Sequence, residues 1–589
     1  MTQTDRPIPR PLVDIRGLSV RFPLANGGKP LVRGVDLTIH AGECVALVGE
    51  SGSGKSLTAR SLIGLAGAGA VVEADRFEID GQSALHYRER DWRRVRGAFA
   101  GLVMQDALVS LDPLRTVGAE IGEALALHRR ALSRRELAGT VHAVMGDVGI
   151  PDPKSRAGQY AHELSGGLRQ RALIASAIAA GPALVIADEP TTALDVAVQA
   201  QVLAVLAERL QKGVGLLLIS HDLAVVAGIA DRVLVMHNGE VVDSGPTESV
   251  LNHPSHPYTQ QLLAAQPSAL SRGHRLSSAR IVPVAVDANK GAPGTPAIVR
   301  DPLPARRPLS EAVVLQVDGI GKHYQRRGER RDERFHALAN VSFSVRKGEV
   351  VGIVGESGSG KSTCANIVLG LLAPSAGRVE FLGTQWNGAG VTERMRRVLR
   401  PQLQYIPQDP LGSFDPRYTV RQLLEEGLFS RRLSKEDLVD RSVALLEQVG
   451  LDAAFLERRP LTLSGGQRQR VAIARALAPE PALIVCDEPV SALDVYVQAQ
   501  VLDLLAELQA RLETSLLFIS HDLDVVRHLS DRVLVFKDGQ VVEEGPAERV
   551  FAAPVHGYTR LLLSATPSLQ HRRIPEPARS EPAFAATGS

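Results

Sequence analysis

Cysteine, long apolar runs and an excess of one charge are all missing or scarce in this chain of 589 residues. The three cysteines, at positions 44, 364 and 486, lie far apart and form no CxxC pair. We therefore exclude a disulfide framework and a structural zinc site, and we predict a reducing compartment. No run reaches the roughly 18 apolar residues that span a bilayer, and the first residues lack a signal-peptide pattern. The sequence thus predicts a cytoplasmic chain.

Basic and acidic residues nearly balance, at 67 and 65, which leaves a net charge of +2. This balance gives no long-range electrostatic case for nucleic acid as a partner. The hydrophobic share of 44% is that of a globular protein, and the length predicts several domains.

The chain is an internal repeat. GESGSGKS occurs at 49–56 and again at 355–362, and four further segments recur in the same order. The recurring pairs are LSGGLRQR (164–171) with LSGGQRQR (463–470), LVIADEPTTALDVAVQAQVL (184–203) with LIVCDEPVSALDVYVQAQVL (483–502), LLLISHDLAVV (216–226) with LLFISHDLDVV (516–526), and HPYTQQLLAAQP (256–267) with HGYTRLLLSATP (556–567). Because order and spacing are kept, two homologous halves are predicted.

Composition sets the predicted boundaries. We predict an N-terminal tail at 1–11, a first domain at 12–267, a linker at 268–311, a second domain at 312–567 and a disordered tail at 568–589. The linker is rich in Pro, Ser, Ala and Arg, which favours a flexible tether. The alternative is that its VPVAV segment (282–286) pairs as an edge strand.

Each half has an α/β pattern. Short apolar runs such as ECVALVG, ALVIAD and GLLLIS precede small turns and helical segments, which is typical of a mostly parallel sheet. Asn238-Gly239 and Asp538-Gly539 lie between alternating apolar segments and predict tight hairpins.

The repeated octet fits GxxxxGK[ST] between a predicted strand and a predicted helix, which indicates a phosphate-binding loop rather than a Gly-Ser surface turn or a dinucleotide site. Its glycines let backbone N–H groups surround phosphates, and Lys55 or Lys361 reaches the β- and γ-phosphates. Ser56 and Ser362 suit Mg²⁺, which prefers oxygen ligands. The predicted nucleotide-binding residues of the two octets and their flanks are Gly49, Ser51, Gly52, Gly54, Lys55, Ser56 and Leu57, and Gly355, Ser357, Gly358, Gly360, Lys361, Ser362 and Thr363.

Two acidic pairs end buried strands downstream of these loops. Asp188 and Asp487 suit the Mg²⁺ role, while Glu189 and Glu488 suit the base that orients and deprotonates the attacking water. The adjacent residues of each SHD segment cannot form a Ser-His-Asp relay, whose members meet through the fold. The sequence instead predicts that His221 and His521 each sense a γ-phosphate.

Together with the LSGG segments, the ordered set of phosphate loop, Asp-Glu strand end and histidine resembles that of the ATP-binding cassette proteins. The resemblance covers nearly all of the chain outside the linker and the tail. The resemblance implies an α/β fold of two P-loop NTPase domains in tandem. Each domain would have a RecA-like parallel-sheet core, an antiparallel β-subdomain and a helical subdomain. It also implies an ATPase in which ATP lies between the phosphate loop of one half and the LSGG of the other. The implied LSGG residues are Ser165, Gly166 and Gly167 facing the Lys361 loop, and Ser464, Gly465 and Gly466 facing the Lys55 loop.

The resemblance assigns further residues. Gln105 and Gln408 match the glutamine that contacts Mg²⁺ and signals to the membrane partner. Asp195 and Asp494 match the loop that couples the two sites. Phe22 and Tyr324 match the aromatic residue that stacks on adenine, although core aromatic residues would look the same.

The segments VMQDALVSLDPLRTV and YIPQDPLGSFDPRYTV, with HPYT and HGYT, are similar to those of oligopeptide, dipeptide and nickel importers. This implies an ATPase peripheral to the cytoplasmic face of the inner membrane, with ATP and Mg²⁺ as cofactors, two transmembrane permease subunits and an extracytoplasmic solute-binding protein. No iron–sulfur cluster is expected, because residues 268–311 contain no cysteine. Peptide is the first expectation for the solute, before nickel chelates, glutathione or sugars. A soluble cassette ATPase acting on ribosomes or nucleic acid, and an exporter ATPase, remain the alternatives.

Overall fold

The structure, a computed structural model, describes residues 10–23, 28–105, 107–128, 132–192, 194–282, 297–325 and 334–566. The chain divides into two compact units, unit 1 with residues 1–259 and 567–589, and unit 2 with residues 260–566. The tail predicted at 568–589 lies outside the described residues, as does most of the tail predicted at 1–11. The unit boundary falls inside the predicted first domain, within the helix Pro257–Ala264, which begins inside HPYT.

Unit 1 contains two β-sheets. Its strands are β1 (Val13–Arg21), β2 (Pro30–Ile39), β3 (Cys44–Val48), β4 (Val71–Glu73), β5 (Arg76–Ile79), β6 (Gln82–Ser83), β7 (Ala100–Val103), β8 (Leu184–Asp188), β9 (Gly215–Ile219), β10 (Arg232–His237) and β11 (Glu240–Pro246). The smaller sheet is antiparallel, in the order β2-β1-β5-β6, with β4 also on β1. The larger has the order β11-β10-β3-β9-β8-β7 and is parallel except at the β10–β11 hairpin.

The helices of unit 1 are α1 (Lys55–Ser61), α2 (Glu89–Val95), α3 (Ala107–Ser110), α4 (Val117–His128), α5 (Arg134–Asp147), α6 (Pro153–Arg156), α7 (Gly166–Ile178), α8 (Val196–Gln211), α9 (Leu223–Ile229), α10 (Thr247–Asn252) and α11 (Pro257–Ala264), which contains the unit boundary. Some of them, such as α1, α7 and α8, contact strands of the larger sheet, whereas α4, α5 and α7 pack on one another. A 3₁₀ turn spans Ala161–Glu163. Strands β3, β8 and β9 are buried at every position, as expected for parallel strands covered on both faces.

Unit 2 repeats this architecture. Its strands are β12 (Arg280–Val282), β13 (Ala297–Val299), β14 (Val313–Gln325), β15 (Arg334–Arg346), β16 (Val350–Val354), β17 (Ala376–Phe381), β18 (Thr384–Asn387), β19 (Leu403–Ile406), β20 (Leu483–Asp487), β21 (Ser515–Ile519), β22 (Arg532–Lys537) and β23 (Gln540–Pro546). The antiparallel sheet has the order β15-β14-β17-β18, and the larger sheet the order β19-β20-β21-β16-β22-β23.

The helices of unit 2 follow the same order. They are α12 (Lys361–Val368), α13 (Glu393–Arg396), α14 (Pro410–Ser413), α15 (Val420–Leu428), α16 (Lys435–Gln448), α17 (Gly465–Leu477), α18 (Val495–Leu512), α19 (Leu523–Leu529), α20 (Ala547–Ala552) and α21 (Gly557–Ala565). Short 3₁₀ turns span Arg400–Gln402, Phe429–Arg431, Ala453–Glu457 and Pro460–Thr462. The α/β class, the parallel core and the antiparallel subdomain predicted from the sequence are confirmed in each unit.

Both predicted hairpins form at the predicted positions. Asn238 and Gly239 have φ values of +49° and +87°, and Asp538 and Gly539 have φ values of +48° and +78°. Two consecutive positive φ angles belong to the type I′ turn, whose twist matches that of the flanking strands.

Residues 268–311, called the connector below, differ from the flexible tether that the sequence predicts. In its described parts, β12 pairs antiparallel with β13, and Leu276 is fully buried in the core of unit 2. The buried carboxylate of Asp503 on α18 accepts hydrogen bonds from the backbone N–H groups of Leu276 and Ser277 at 2.8 Å and from the Ser277 hydroxyl at 2.6 Å. Polar contacts therefore hold the connector in place, and no periodic pattern in the sequence predicts them.

A second group of contacts holds the connector on α19 and on Asp531, the residue before β22. The buried Ser271 hydroxyl lies 2.9 Å from Nδ1 of His528, whose pKa falls to about 4 because of burial and the charges of nearby arginines. Arg272 and Arg306 both donate to the carboxylate of Asp531. The imidazole is thus neutral at physiological pH and can sit beside these guanidinium groups without repulsion.

The two halves differ at the positions that dock the connector. By the alignment of the repeats, Asp503 corresponds to Ala204, and His528 corresponds to Gly228. The first half therefore lacks the counterparts of Asp503 and His528, whereas Asp531, which binds Arg272, corresponds to Asp231. The presence of Asp503 and His528 in the second half accounts for docking of the connector on unit 2.

Candidate active site

The phosphate-loop octet of unit 1 joins β3 to α1, as the sequence predicts. Gly49 has φ +144°, and a Cβ there would lie 2.1 Å from the carbonyl oxygen of Met236. Gly54 caps α1 with φ +99°. Only glycine satisfies both positions, because side chains are strained at such φ values and Gly49 has no room for a Cβ. In unit 2, Gly355 and Gly360 repeat this geometry, with φ values of +149° and +103°.

The two loop lysines are almost fully buried beneath the loops. Nζ of Lys55 donates to the carbonyl oxygens of Gly49 and Glu50, both at 2.7 Å. Nζ of Lys361 donates to those of Gly355 and Glu356, at 2.7 and 2.8 Å. The ammonium groups are thus held at the centre of each loop. A Cβ on Gly52 or Gly358 would meet no atom within 4 Å, so the outer side of the loops is open to a ligand.

An aspartate ends the strand beside each loop. In unit 1 the Ser56 hydroxyl donates to Asp188 at 2.9 Å, and Arg60 lies 3.8 Å from the same carboxylate. Burial raises the pKa of Asp188, as does the charge of Glu189, while the Ser56 hydrogen bond lowers it, and the net pKa is raised. Oxygen groups predicted to bind Mg²⁺ therefore meet across 132 residues of sequence.

The corresponding aspartate of unit 2 has a different neighbour. The carboxylate of Asp487 accepts a hydrogen bond from the Tyr405 hydroxyl at 3.5 Å. Burial raises the pKa of Asp487, as does the charge of Glu488, and the net pKa is raised. Leucine occupies the position of Tyr405 in the first half, and asparagine occupies that of Arg60 in the second. The two sites are alike in the predicted ligands and unlike around the aspartate.

The predicted base, glutamine and histidine come together in unit 1. Oε2 of Glu189 accepts from Nε2 of Gln105 at 2.8 Å and lies 3.4 Å from Nδ1 of His221. Thr192 also donates to it, at 3.1 Å. Burial raises the pKa of Glu189, but the hydrogen bond and charge of His221 outweigh burial and lower it overall. Conversely, burial lowers the pKa of His221 and the carboxylate raises it, with a net rise.

The same cluster forms in unit 2. Oε2 of Glu488 accepts from Nε2 of Gln408 at 2.8 Å and lies 3.2 Å from Nδ1 of His521. The pKa of Glu488 is lowered overall, because the interaction with His521 outweighs burial. Both glutamates have left-handed backbones, with φ of +50° at Glu189 and +47° at Glu488. A strained backbone at a glutamate points to function, because this conformation costs about 1–3 kcal/mol.

Each LSGG segment begins a helix and packs on the aspartate loop of its own unit. Ser165 caps α7, and a Cβ on Gly167 would lie 2.6 Å from Val198, in the first turn of α8. The Asp195 side chain caps that turn by accepting from the Val198 N–H at 2.9 Å. In unit 2, Ser464 caps α17, Gly466 faces Val497 and Asp494 caps α18. The glycine therefore lets the two helix starts touch.

The LSGG helices differ in their first turn. Ser464 and Gln467 form a reciprocal capping box, in which the Ser464 N–H donates to Gln467 at 3.0 Å. The first half has Leu168 at that position, which cannot accept this bond. Capping bonds stabilise a helix start by about 1 kcal/mol.

We predict that Gln467→Leu weakens the first turn of α17 by up to about 1 kcal/mol and speeds amide exchange there by about fivefold. Hydrogen–deuterium exchange on the intact chain measures this. The matched variant is Leu168→Gln, which should slow exchange at the start of α7. Unchanged exchange in both variants would contradict the assignment.

Phe22, Tyr324, Leu57 and Thr363 are further predicted nucleotide contacts. Phe22 follows β1 and is half-buried, and Tyr324 on β14 is 43% exposed with Nζ of Lys322 5.5 Å from its ring centroid. Both aromatic residues are partly exposed, and adenine stacking stays a prediction. Leu57 packs on the apolar core of unit 1, and Thr363 is half-buried in α12. Their roles as nucleotide contacts also stay predictions.

The sequence interpretation missed the tyrosine of HPYT and HGYT as a site residue. The hydroxyl of Tyr258 accepts a hydrogen bond from the Glu50 N–H at 2.9 Å, and Tyr558 does the same for Glu356 at 3.1 Å. The recurrence of this tyrosine in both halves was the available signal. In the sequence the tyrosine indicated only a subfamily, because a hydrogen-bond partner 208 residues away leaves no local pattern.

The described residues contain no group of three or more His, Cys, Asp or Glu side chains that could hold a metal ion by themselves. The oxygen set of Ser56 and Asp188 nevertheless fits Mg²⁺, which proteins bind through one or two carboxylates together with substrate phosphates. Within the described part of the chain, no helix is both long enough and apolar enough to cross a membrane.

Comparison with protein families supplies two matches. The family model described as ABC transporter matches residues 32–192 and 338–491. The model described as oligopeptide/dipeptide transporter, C-terminal region, matches residues 242–292 and 542–588. Each model therefore matches both halves, and the second covers HPYT and HGYT.

Three curated relatives are similar over almost their whole length. The peptidoglycan transport ATP-binding protein YejF of Agrobacterium fabrum is 42% identical over 94% of this chain and 96% of the relative. The glutathione import ATP-binding protein GsiA of Salmonella choleraesuis is 41% identical over 99% of this chain and 93% of the relative. The oligopeptide transport ATP-binding protein OppD of Mycobacterium tuberculosis is 40% identical over 97% and 99%.

Proposed function

Because the chain belongs to the ABC transporter family, we propose that it is the ATP-hydrolysing subunit of a binding-protein-dependent importer of peptides. Its reaction is the hydrolysis of ATP to ADP and phosphate, coupled to transport. The observation that carries the proposal is the cluster of Gln105, Glu189 and His221, repeated in unit 2, beside a phosphate loop. The remaining paragraphs assign roles to these residues.

The two loops bind the phosphates of ATP. Their N–H groups surround the phosphate oxygens, and Lys55 and Lys361, already held at the loop centres, neutralise the β- and γ-phosphates. Phe22 and Tyr324 stack on the adenine, and Leu57 and Thr363 line the start of the following helix. These roles account for the glycines at which the loop backbone has positive φ.

Glu189 and Glu488 orient and deprotonate the water that attacks the γ-phosphate. A base must be ionised and positioned, and both glutamates have a lowered pKa and are held by a glutamine and a histidine. Burial lowers the pKa of His221 and of His521, but the glutamates raise it overall, which favours the protonated imidazole that stabilises the charge developing on the γ-phosphate. Gln105 and Gln408 fix each carboxylate and report its state to the helical subdomain.

Mg²⁺ would be held by Ser56, Asp188 and Gln105 in one site and by Ser362, Asp487 and Gln408 in the other, together with ATP oxygens. When bound, it supplies positive charge that polarises the phosphates. In the structure, Ser56 and Asp188 already lie 2.9 Å apart, and Gln105 reaches the adjacent glutamate. These oxygens are of the kind that a hard cation prefers.

Each loop is half of a site, which the LSGG of the other half completes. Ser165, Gly166 and Gly167 contact the ATP bound by Lys361, and Ser464, Gly465 and Gly466 contact the ATP bound by Lys55. The start of each helix offers N–H groups and a serine hydroxyl, which bind the γ-phosphate. Asp195 and Asp494 couple the sites, because they cap the helices that pack against the LSGG glycines.

The partners are two permease subunits and a solute-binding protein outside the membrane. The relatives named above act on peptidoglycan, glutathione and oligopeptides, whose shared chemistry is the peptide. The C-terminal region model of oligopeptide and dipeptide transporters matches both halves. These two observations favour a peptide solute and a location at the cytoplasmic face of the inner membrane.

We expect the chain to co-purify with the two permeases encoded beside it and their ATP hydrolysis to be stimulated by a peptide-loaded binding protein. The measurement is phosphate release by the complex in membranes, with ribosomes and DNA added separately as controls. Stimulation by ribosomes or DNA instead would contradict the importer, and outward movement of solute would indicate an exporter. The peptide that co-purifies with the binding protein identifies the solute.

A further inference from the structure

The first peptide of the phosphate loop is held from both sides in unit 1. Its carbonyl oxygen, that of Gly49, accepts from Nζ of Lys55 at 2.7 Å. Its N–H group, that of Glu50, donates to the Tyr258 hydroxyl at 2.9 Å. Tyr258 is 7% exposed and the bond is partly buried, and an amide left without an acceptor in such a place is costly.

Unit 2 repeats the arrangement. The carbonyl oxygen of Gly355 accepts from Nζ of Lys361 at 2.7 Å, and the N–H of Glu356 donates to the Tyr558 hydroxyl at 3.1 Å. Two halves that differ around their aspartates therefore agree on this contact. Its partners are 208 and 202 residues apart in sequence, so no local constraint produces it.

A single strand aligns the tyrosine with the loop in unit 1. The carbonyl oxygen of Met236 on β10 lies against Gly49, where no Cβ would fit. The next residue, His237, packs its ring on Tyr258 with 4.1 Å between centroids. Neighbouring residues of one strand thus set the position of both the loop and the phenol.

Acidic side chains on the hairpin strands fix the turn that presents each tyrosine. Asp243 accepts hydrogen bonds from the N–H and hydroxyl of Ser255 and from the N–H of His256, at 3.0 to 3.2 Å. Nδ1 of His256 accepts from the Tyr258 N–H at 3.2 Å. These contacts of Ser255 and His256 order the turn that presents the phenol.

In unit 2 the turn is held in the same way. Glu543 accepts from the N–H groups of Val555 and His556 at 2.7 and 3.0 Å, and Nδ1 of His556 accepts from the Tyr558 N–H at 3.1 Å. Lys537 replaces the stacked histidine, with Nζ 5.0 Å from the Tyr558 ring centroid. The acidic residue (Asp243 or Glu543) and the residue beside the ring (His237 or Lys537) differ between the halves. The tyrosine hydroxyl accepts the same hydrogen bond in both.

We propose that Tyr258 and Tyr558 are positioning residues of the phosphate loops. Each tyrosine fixes the orientation of the first loop peptide when the loop lysine binds the phosphates of ATP. The proposal rests on the proposed role of the loops in binding ATP. When Lys55 shares its N–H bonds with phosphates, its hold on the Gly49 carbonyl weakens, while the Tyr258 hydroxyl still accepts from the Glu50 N–H. The hydroxyl therefore matters more with ATP bound than without it, and its loss lowers affinity for ATP.

The test is the double variant Tyr258→Phe/Tyr558→Phe in the full chain, which removes only the two hydroxyls. We expect the Kd for a non-hydrolysable ATP analogue and the KM for ATP to rise about fivefold, the usual effect of one neutral hydrogen bond. The kcat at saturating ATP should change less than twofold, because the phenols do not touch the reacting atoms. Tyr418→Phe, at an exposed tyrosine of unit 2, is the matched control and should change neither constant.

Three results would overturn the proposal, and the first two leave the proposed function of the loops intact. One is an unchanged Kd in the double variant while Lys361→Ala weakens analogue binding. Another is a fall in kcat and melting temperature with no change in KM, which would make the hydroxyls purely structural. The third is unchanged analogue binding in Lys361→Ala, in which case the proposed loop function fails, and this proposal fails with it.

Discussion

Replacing Glu189 or Glu488 by Gln should lower hydrolysis at its own site by about 10²- to 10⁴-fold, the usual contribution of a general base. Glutamine keeps the size of the side chain but cannot accept the proton of the attacking water. Each single variant should therefore retain at most about half of the ATPase activity of the chain, and the double variant almost none. Phosphate release under saturating ATP measures this.

The structure gives a reason to expect two working sites. Each glutamate has the same left-handed backbone, the same glutamine at 2.8 Å and a histidine at 3.2 or 3.4 Å. The variants should still bind ATP, because the loops are untouched, and ATP affinity is the control for folding. Glu208→Gln, in an exposed ion pair with Lys212, is the matched acidic control. Full activity in one variant and complete loss in the other would show unequal sites.

Asp503→Ala should release the connector from unit 2. The variant removes one buried carboxylate and leaves two backbone N–H groups and one hydroxyl without their acceptor. Hydrogen bonds to a charged group and the burial of unpaired amides together predict a loss of about 2–4 kcal/mol. Amide exchange over residues 271–282 should then rise roughly 30- to 700-fold if it occurs by local release.

Hydrogen–deuterium exchange of the full chain measures this effect peptide by peptide. Asp503→Asn, which keeps one oxygen acceptor, should give an intermediate rate and serves as the graded control. The rest of α18 should exchange as before, because its first turn is capped independently by Asp494. Unchanged exchange at residues 271–282 would show that Leu276 and the contacts to His528 and Asp531 suffice.

The sequence by itself determined what depends on neighbours along the chain. The phosphate loop lies between a strand and a helix because glycines and apolar runs act over a few residues, and the Asn-Gly and Asp-Gly hairpins formed for the same reason. Repetition then doubled each signal, so that the two halves, the α/β class and the family could be predicted from motifs alone.

Only the tertiary structure decided which distant groups meet. Gln105 and Glu189 are 84 residues apart, and the Tyr258 hydroxyl reaches the Glu50 amide across 208 residues. The connector, predicted to be flexible from its composition, is held by a carboxylate 227 residues from Leu276. The composition of a segment indicates how much apolar surface the segment can bury. It carries no information about a hydrogen-bond acceptor on a distant helix. For this reason the motifs could be read from the sequence, whereas their partners required the fold.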